Sequence, residues 1–241
     1  MKKSIFLALV LISLFFIFSC KKQNNNENGY ESYRYELWKM LIDNGYQFDL
    51  IGTQKDDGNY PDYLGNSFDR DHEGIGGIES EDLLSNLSEV LLNVPVPDLV
   101  LLCVGGNDLL NGDDPSAPIS NIHLIIDVLQ NNNPNVTVFI EQIAPAREDA
   151  MNNELTNKIT SFNNQIISVA NNQSNNNSIV SPIDMYTNFS NSFFADDVHY
   201  NEQGANFVAG KYLNAIQSTF NNINFINILT LGDSRVEGGR P

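Results

Sequence analysis

The sequence predicts an α/β fold, a parallel sheet with helices on both faces. Three observations carry this. Segments of helical and of strand-like pattern alternate from Tyr33 onward. The run 98–104 (DLVLLCV) is almost wholly apolar, as expected of a strand buried on both faces. The 241 residues show no internal repeat and suit one medium domain.

Residues 33–44 (YRYELWKMLIDN) place Leu37, Met40 and Leu41 on one helical face, with Gly45 as a stop. Residues 47–53 (QFDLIGT) read as a strand. A helix over 80–93 carries Leu83, Leu84, Leu87, Val90 and Leu91 at helical spacing. After the 98–104 strand come a helix at about 120–131 and a strand at about 136–142 (VTVFIEQ). A long helix at about 150–171, a short strand at 178–183 and a helix at about 202–219 follow. The last strand, 225–231 (FINILTL), leads into the C-terminal loop.

The first residues stand apart from this pattern. Lys2 and Lys3 precede an apolar run over 4–18, shorter than the roughly 20 residues that span a bilayer. The run ends Ile17-Phe18-Ser19-Cys20, which resembles a bacterial lipoprotein cleavage box. That resemblance implies a signal peptide at 1–19, with Cys20 as the lipidated first residue. It implies a flexible tether through 29, a folded domain over 30–241, and attachment to a membrane of the bacterial cell envelope, at the periplasmic or outer-membrane surface. Only Cys103 then remains, which rules out an intramolecular disulfide and reads as a small core residue. Thirteen Lys and Arg against 30 Asp and Glu give a formal charge of −17, which repels nucleic acid.

In parallel sheets ligands sit outside the carboxyl ends of the strands, so chemistry is sought in the loops there. Four loops qualify. Gly232-Asp233-Ser234 follows the last strand, and Gly105-Gly106-Asn107-Asp108 follows the 98–104 strand. Asp71-His72-Glu73-Gly74-Ile75-Gly76-Gly77 precedes the 80–93 helix as a loop, and Asp196-Asp197-Val198-His199 precedes the 202–219 helix. Each has a bland reading: Ser234 as a helix cap, Asn107 and Asp108 as a turn, the aspartates as solvated charges, and His72 and His123 as packing or surface residues. Neither a cofactor nor a metal is expected. His72 and Glu73 lack a ligand-spaced partner, and the Gly105-Gly106 and Gly238-Gly239 pairs lack a dinucleotide or P-loop pattern.

Taken together, "LTLGDSRVEGG", "HEGIGG", "GGND" and "DDVHYNEQG" resemble the four blocks of the SGNH (GDSL-like) hydrolase family. The resemblance covers nearly all of the chain beyond the leader. It implies a flavodoxin-like three-layer α/β/α sandwich with a five-stranded parallel sheet. It also implies a serine esterase: Ser234 as nucleophile, His199 as base, and Asp196 orienting the imidazole, with Asp197 as the competing choice. The oxyanion donors would be the Ser234 and Gly77 N–H groups and the Asn107 amide. On this reading activity falls on acidification, because an imidazolium cannot take the serine proton.

The block order departs from the family, where the Gly-Asp-Ser block comes first. Joining "GDSRVEGGRP" to "ESYRYELWKMLIDNGYQFDLIGTQ" restores the start of an acetylxylan-esterase-like member, which implies a circular permutation with the last strand at the sheet centre. Acetylated polysaccharide is the substrate this implies. A lysophospholipase or thioesterase acting on lipid esters is the runner-up, and a non-catalytic glycan-binding lipoprotein the alternative of another class.

Overall fold

The computed structural model describes residues 29–220 and 225–239. The expected signal peptide, Cys20 and the tether as far as residue 28 lie outside the described residues. The elements run α1 (Arg34–Asp43), β1 (Phe48–Ile51), β2 (Gln54–Lys55), β3 (Asp71–Gly74), α2 (Ser80–Asn93), β4 (Leu99–Cys103), α3 (Gly106–Leu110), α4 (Ser116–Asn132) and β5 (Thr137–Gln142). Then come α5 (Asn153–Gln173), β6 (Val180–Asp184), α6 (Glu202–Thr219), β7 (Ile226–Gly232) and α7 (Ser234–Glu237), with single 3-10 turns at Glu148–Ala150 and Asn191–Phe193.

The sheet order is β2-β3-β7-β4-β5-β6, with β1 also pairing β7. The expected last strand is thus interior. It runs parallel to β4 on one side (Val100 opposite Leu229, Cys103 opposite Gly232). On the other side it pairs β1 through Ile226–Leu229 and β3 through Leu231 and Gly232.

The sheet differs from five parallel strands. Among the described residues it has seven strands, and the short β2 is antiparallel to β3. The segment expected as a loop, 71–77, opens as a strand instead. Its DHEG sequence is polar, yet His72 and Glu73 are buried. Hydrogen bonds make this possible: His72 Nδ1 accepts from Gly74 N at 3.0 Å, and Glu73 accepts from Thr53 N (2.8 Å) and Thr53 Oγ1 (2.7 Å). Apolar periodicity gives no hint of such a strand. Burial pushes the His72 imidazole down to about 3, so it stays neutral as a packing residue.

Two apolar clusters cover the sheet faces. Val100 and Leu102 of β4 point to one, with Leu83 and Leu87 of α2, Ile122 and Ile126 of α4, and Phe162 and Ile166 of α5. Leu99, Leu101 and Cys103 point to the other, with Leu37 and Leu41 of α1 and Val208 and Tyr212 of α6. This is why β4 is apolar at every position: each face is a core. Asparagine caps start two helices. Asn152 accepts from Leu155 N, and Asn201 accepts from Gln203 N and Gly204 N.

Candidate active site

The last strand ends at Gly232 and turns directly into the short helix α7, which Ser234 opens. Asp233 caps that helix by accepting from Arg235 N at 2.9 Å. Its buried carboxyl is pushed up by desolvation, against the pull of Arg235 and of that amide. Gly74 lets the helix sit close on β3: a Cβ there would lie 2.3 Å from the Glu237 backbone nitrogen. The buried Arg34 holds the far end of α7, donating to Val236 O (2.8 Å) and Glu237 O (2.9 Å), and pairs with buried Asp56 at 2.6 Å. A short helix leaves its last carbonyls unsatisfied, and this guanidinium fills them.

His199 approaches from the loop before α6. Its Nε2 lies 2.8 Å from Ser234 Oγ and its Nδ1 lies 2.7 Å from Asp196 Oδ2. Asp196 Oδ1 also accepts from the amides of Val198 (2.9 Å) and His199 (2.8 Å). Partial burial alone would raise this carboxyl. The bonds from the imidazole and the two amides outweigh burial and hold it well below the usual carboxylate range. Asp197, the competing choice, turns away and pairs with Arg147 at 2.6 Å. Arg235 fixes the loop from the other side. Its guanidinium donates to Val198 O (3.0 Å), Ala144 O (3.1 Å) and Pro145 O (3.0 Å), tying the residue before His199 to the residue after Ser234.

The two remaining motifs are joined to each other. Asn107 Nδ2 donates to Ile78 O at 2.9 Å. The next residue, buried Asp108, accepts from Ser80 N (3.1 Å) and from Ser80 Oγ at the start of α2. These links hold the turn that carries Gly77 against the turn that carries Asn107. Gly77 has φ +78, a conformation that favours glycine, and a Cβ there would meet nothing within 4 Å. It is exposed. Among the described residues neither the Gly77 nor the Ser234 N–H is donated within the chain.

A small recess is walled by Leu109, Ile143, Ala146, Leu155 and Ile159, with Val198 and Arg235. The last two are the chain neighbours of His199 and Ser234. No group of three or more His, Cys, Asp or Glu able to hold a metal ion occurs among the described residues.

Residues 44–206 match the model of the GDSL-like Lipase/Acylhydrolase family, more than half of the chain. The chain belongs to this family. The GDSL-like chain is 30% identical over 203 residues to a multidomain esterase of Ruminococcus flavefaciens, and spans 26% of that protein's length. Among solved structures it resembles a serine-to-alanine mutant of an acetyl esterase holding an acetate ion (TM-score 0.68, 25% identity, 78% of this chain and 93% of that one). It also resembles a family 3 carbohydrate esterase of Clostridium thermocellum (TM-score 0.62, 26% identity, 80% and 92%).

All five residues singled out for chemistry, Ser234, His199, Asp196, Gly77 and Asn107, thus lie at the carboxyl edge of the sheet. Cys20 lies outside the described residues. Sequence reasoning passed over Arg235 and read Asp108 only as a turn residue, though both lie inside the motifs. It also passed over Tyr30, whose ring stacks on the His199 imidazole (centroids 4.1 Å apart, planes at 23°). Nothing in the sequence around Tyr30 signals that contact.

Proposed function

We propose that the chain is a serine esterase that works through an acyl-enzyme, with acetylated polysaccharide as substrate. The observation that carries this is the continuous hydrogen-bonded line from Ser234 Oγ through His199 to Asp196, at 2.8 and 2.7 Å. A serine hydroxyl becomes a useful nucleophile only when a base takes its proton. In this reading His199 Nε2 takes it as Oγ attacks the ester carbonyl. Asp196 keeps the Nδ1 proton in place and stabilises the imidazolium. The carbonyl oxygen, now an anion, accepts from the N–H groups of Ser234 and Gly77 and from the Asn107 amide, whose second hydrogen is not used by Ile78. The imidazolium then returns its proton to the leaving alkoxide. Water, deprotonated by the same imidazole, releases the acid and restores Ser234.

The acetylated-carbohydrate assignment rests on the acetyl esterase and carbohydrate esterase relatives. Two further parts of the reading concern chain order and location. The motif order is read as a circular permutation, supported by the closeness of the ends: Gly239 N donates to Tyr30 O at 3.1 Å. Cys20 is read as a lipid anchor in the cell envelope. Tyr30 stands ten positions later, so an extended tether would hold the site within about 35 Å of the bilayer.

The test is a substrate panel run on wild type beside Ser234→Ala. Acetate release from acetylated xylan, lost in the variant, is the expected result. Faster turnover of lysophospholipid would shift the assignment to the lipid esters, and no turnover of any ester by folded protein would leave a glycan-binding role.

A further inference from the structure

We propose that Tyr30 is a positioning residue for the esterase reaction, holding the His199 ring and stabilising its protonated form through the face of the phenol ring. The inference rests on the reading of His199 as the base. Tyr30 stacks on the imidazole nearly in parallel, at 4.1 Å and 23°. Its backbone is fixed from both sides: Tyr30 O accepts from Gly239 N at 3.1 Å, and Glu31 N donates to Tyr200 O at 2.8 Å. The ring is therefore held by the two segments that carry the pair, the one after Ser234 and the one after His199.

An aromatic face attracts a cation over it, so it favours imidazolium over imidazole. At pH values where the enzyme works, imidazolium forms only as Ser234 gives up its proton, so the contact acts in the transition state rather than on substrate binding. Three other groups face the ring. Asp196 meets Nδ1, Ser234 Oγ meets Nε2, and the Asp233 carboxylate acts through charge from the end of β7. The Arg147–Asp197 pair lies beside Asp196. Tyr30→Phe, which keeps the ring and loses the hydroxyl, separates the ring from the rest of the side chain.

The test measures kcat and KM for p-nitrophenyl acetate across pH for Tyr30→Phe, Tyr30→Trp and Tyr30→Leu. Tyr30→Phe keeps the ring and should stay within about twofold of wild type. Tyr30→Leu should lose roughly three- to tenfold in kcat with KM unchanged. Its acid limb should move to lower pH, because the cation has lost support. Tyr30→Trp, with the stronger face, should hold the acid limb at or above its wild-type position.

A Leu variant with wild-type kcat overturns the proposal. So does one whose rate falls while the acid limb stays in place, since that marks a purely structural effect. Should the Leu variant fail to fold, a Trp variant whose acid limb moves to lower pH overturns the proposal alone. Ser234→Ala separates this failure from the failure of the esterase reading: an active Ser234→Ala removes both, and an inactive one beside a neutral Tyr30→Leu removes only this inference.

Discussion

Asn107→Ala separates a catalytic donor from a structural tie. The side chain makes one bond in the structure, from Nδ2 to Ile78 O at 2.9 Å, in a half-buried position at the start of α3. Losing one such bond should lower stability by about 1 kcal/mol. Alanine is the better helix former, so the net loss should be smaller. In a domain of this size that moves Tm by about 2–4 °C at most. Losing an oxyanion donor is a larger event, roughly 10²–10³ in kcat. The expected variant is therefore folded, nearly as stable as wild type, similar in KM and at least a hundredfold slower. Steady-state kinetics on p-nitrophenyl acetate beside a thermal melt reads both numbers. Asn111→Ala is the control: Asn111 Nδ2 donates to Glu79 in the same region, but in an exposed setting. It should change neither kcat nor KM. An Asn107→Ala enzyme within threefold of wild type in kcat, or one whose losses lie in Tm and KM, would refute the assignment.

Two more outcomes follow from the geometry. Asp196→Asn should lower kcat by roughly 10²–10⁴, because the amide no longer selects the imidazole tautomer; Asp197→Asn, which breaks only an exposed pair with Arg147, should leave kcat within about twofold, and equal losses in the two would contradict the orientation role of Asp196. Glu141 is buried, and desolvation pushes its carboxyl up to about 7 against the hydrogen bond from Tyr212 at 2.7 Å. The folded state therefore holds its proton, and the cost of burying the ionised form grows as pH rises from about 4.5 to about 7 and then levels off. Glu141→Gln should add up to about 3 kcal/mol more stability at pH 8 than at pH 4.5. Urea melts at the two pH values check this, and a pH-independent difference would show that Glu141 ionises freely.

Most of the fold could be read in the sequence because it rests on long, strongly patterned elements. DLVLLCV announced β4, and the 202–219 pattern announced α6 to within a residue. The site residues were legible because four motifs together resemble the blocks of the GDSL-like family, in loops that a parallel sheet gathers at one edge. The resemblance favoured Asp196 over Asp197, through the family's Asp-x-x-His spacing, and the structure places Asp196 against His199 Nδ1.

What escaped was decided by tertiary contact. β3 is polar because hydrogen bonds, not apolar burial, accommodate His72 and Glu73. Arg235 satisfies carbonyls on two distant loops, and Arg34 closes a helix some two hundred positions away. Asp108 reads as a turn residue until Ser80 is seen opposite it. Glu141, a carboxyl inside the apolar strand VTVFIEQ, reads as an oddity in the sequence until Tyr212 is seen donating to it.

The central claim is that Ser234 Oγ, activated by His199, is the atom acylated during turnover. Mass spectrometry after treatment with a serine-directed phosphonate ester tests it most directly. The account predicts one adduct, on the peptide containing Ser234, formed in step with loss of esterase activity and absent when His199 is replaced by Ala. Full activity in a protein modified at Ser234, or inactivation with the adduct on another residue, would contradict it.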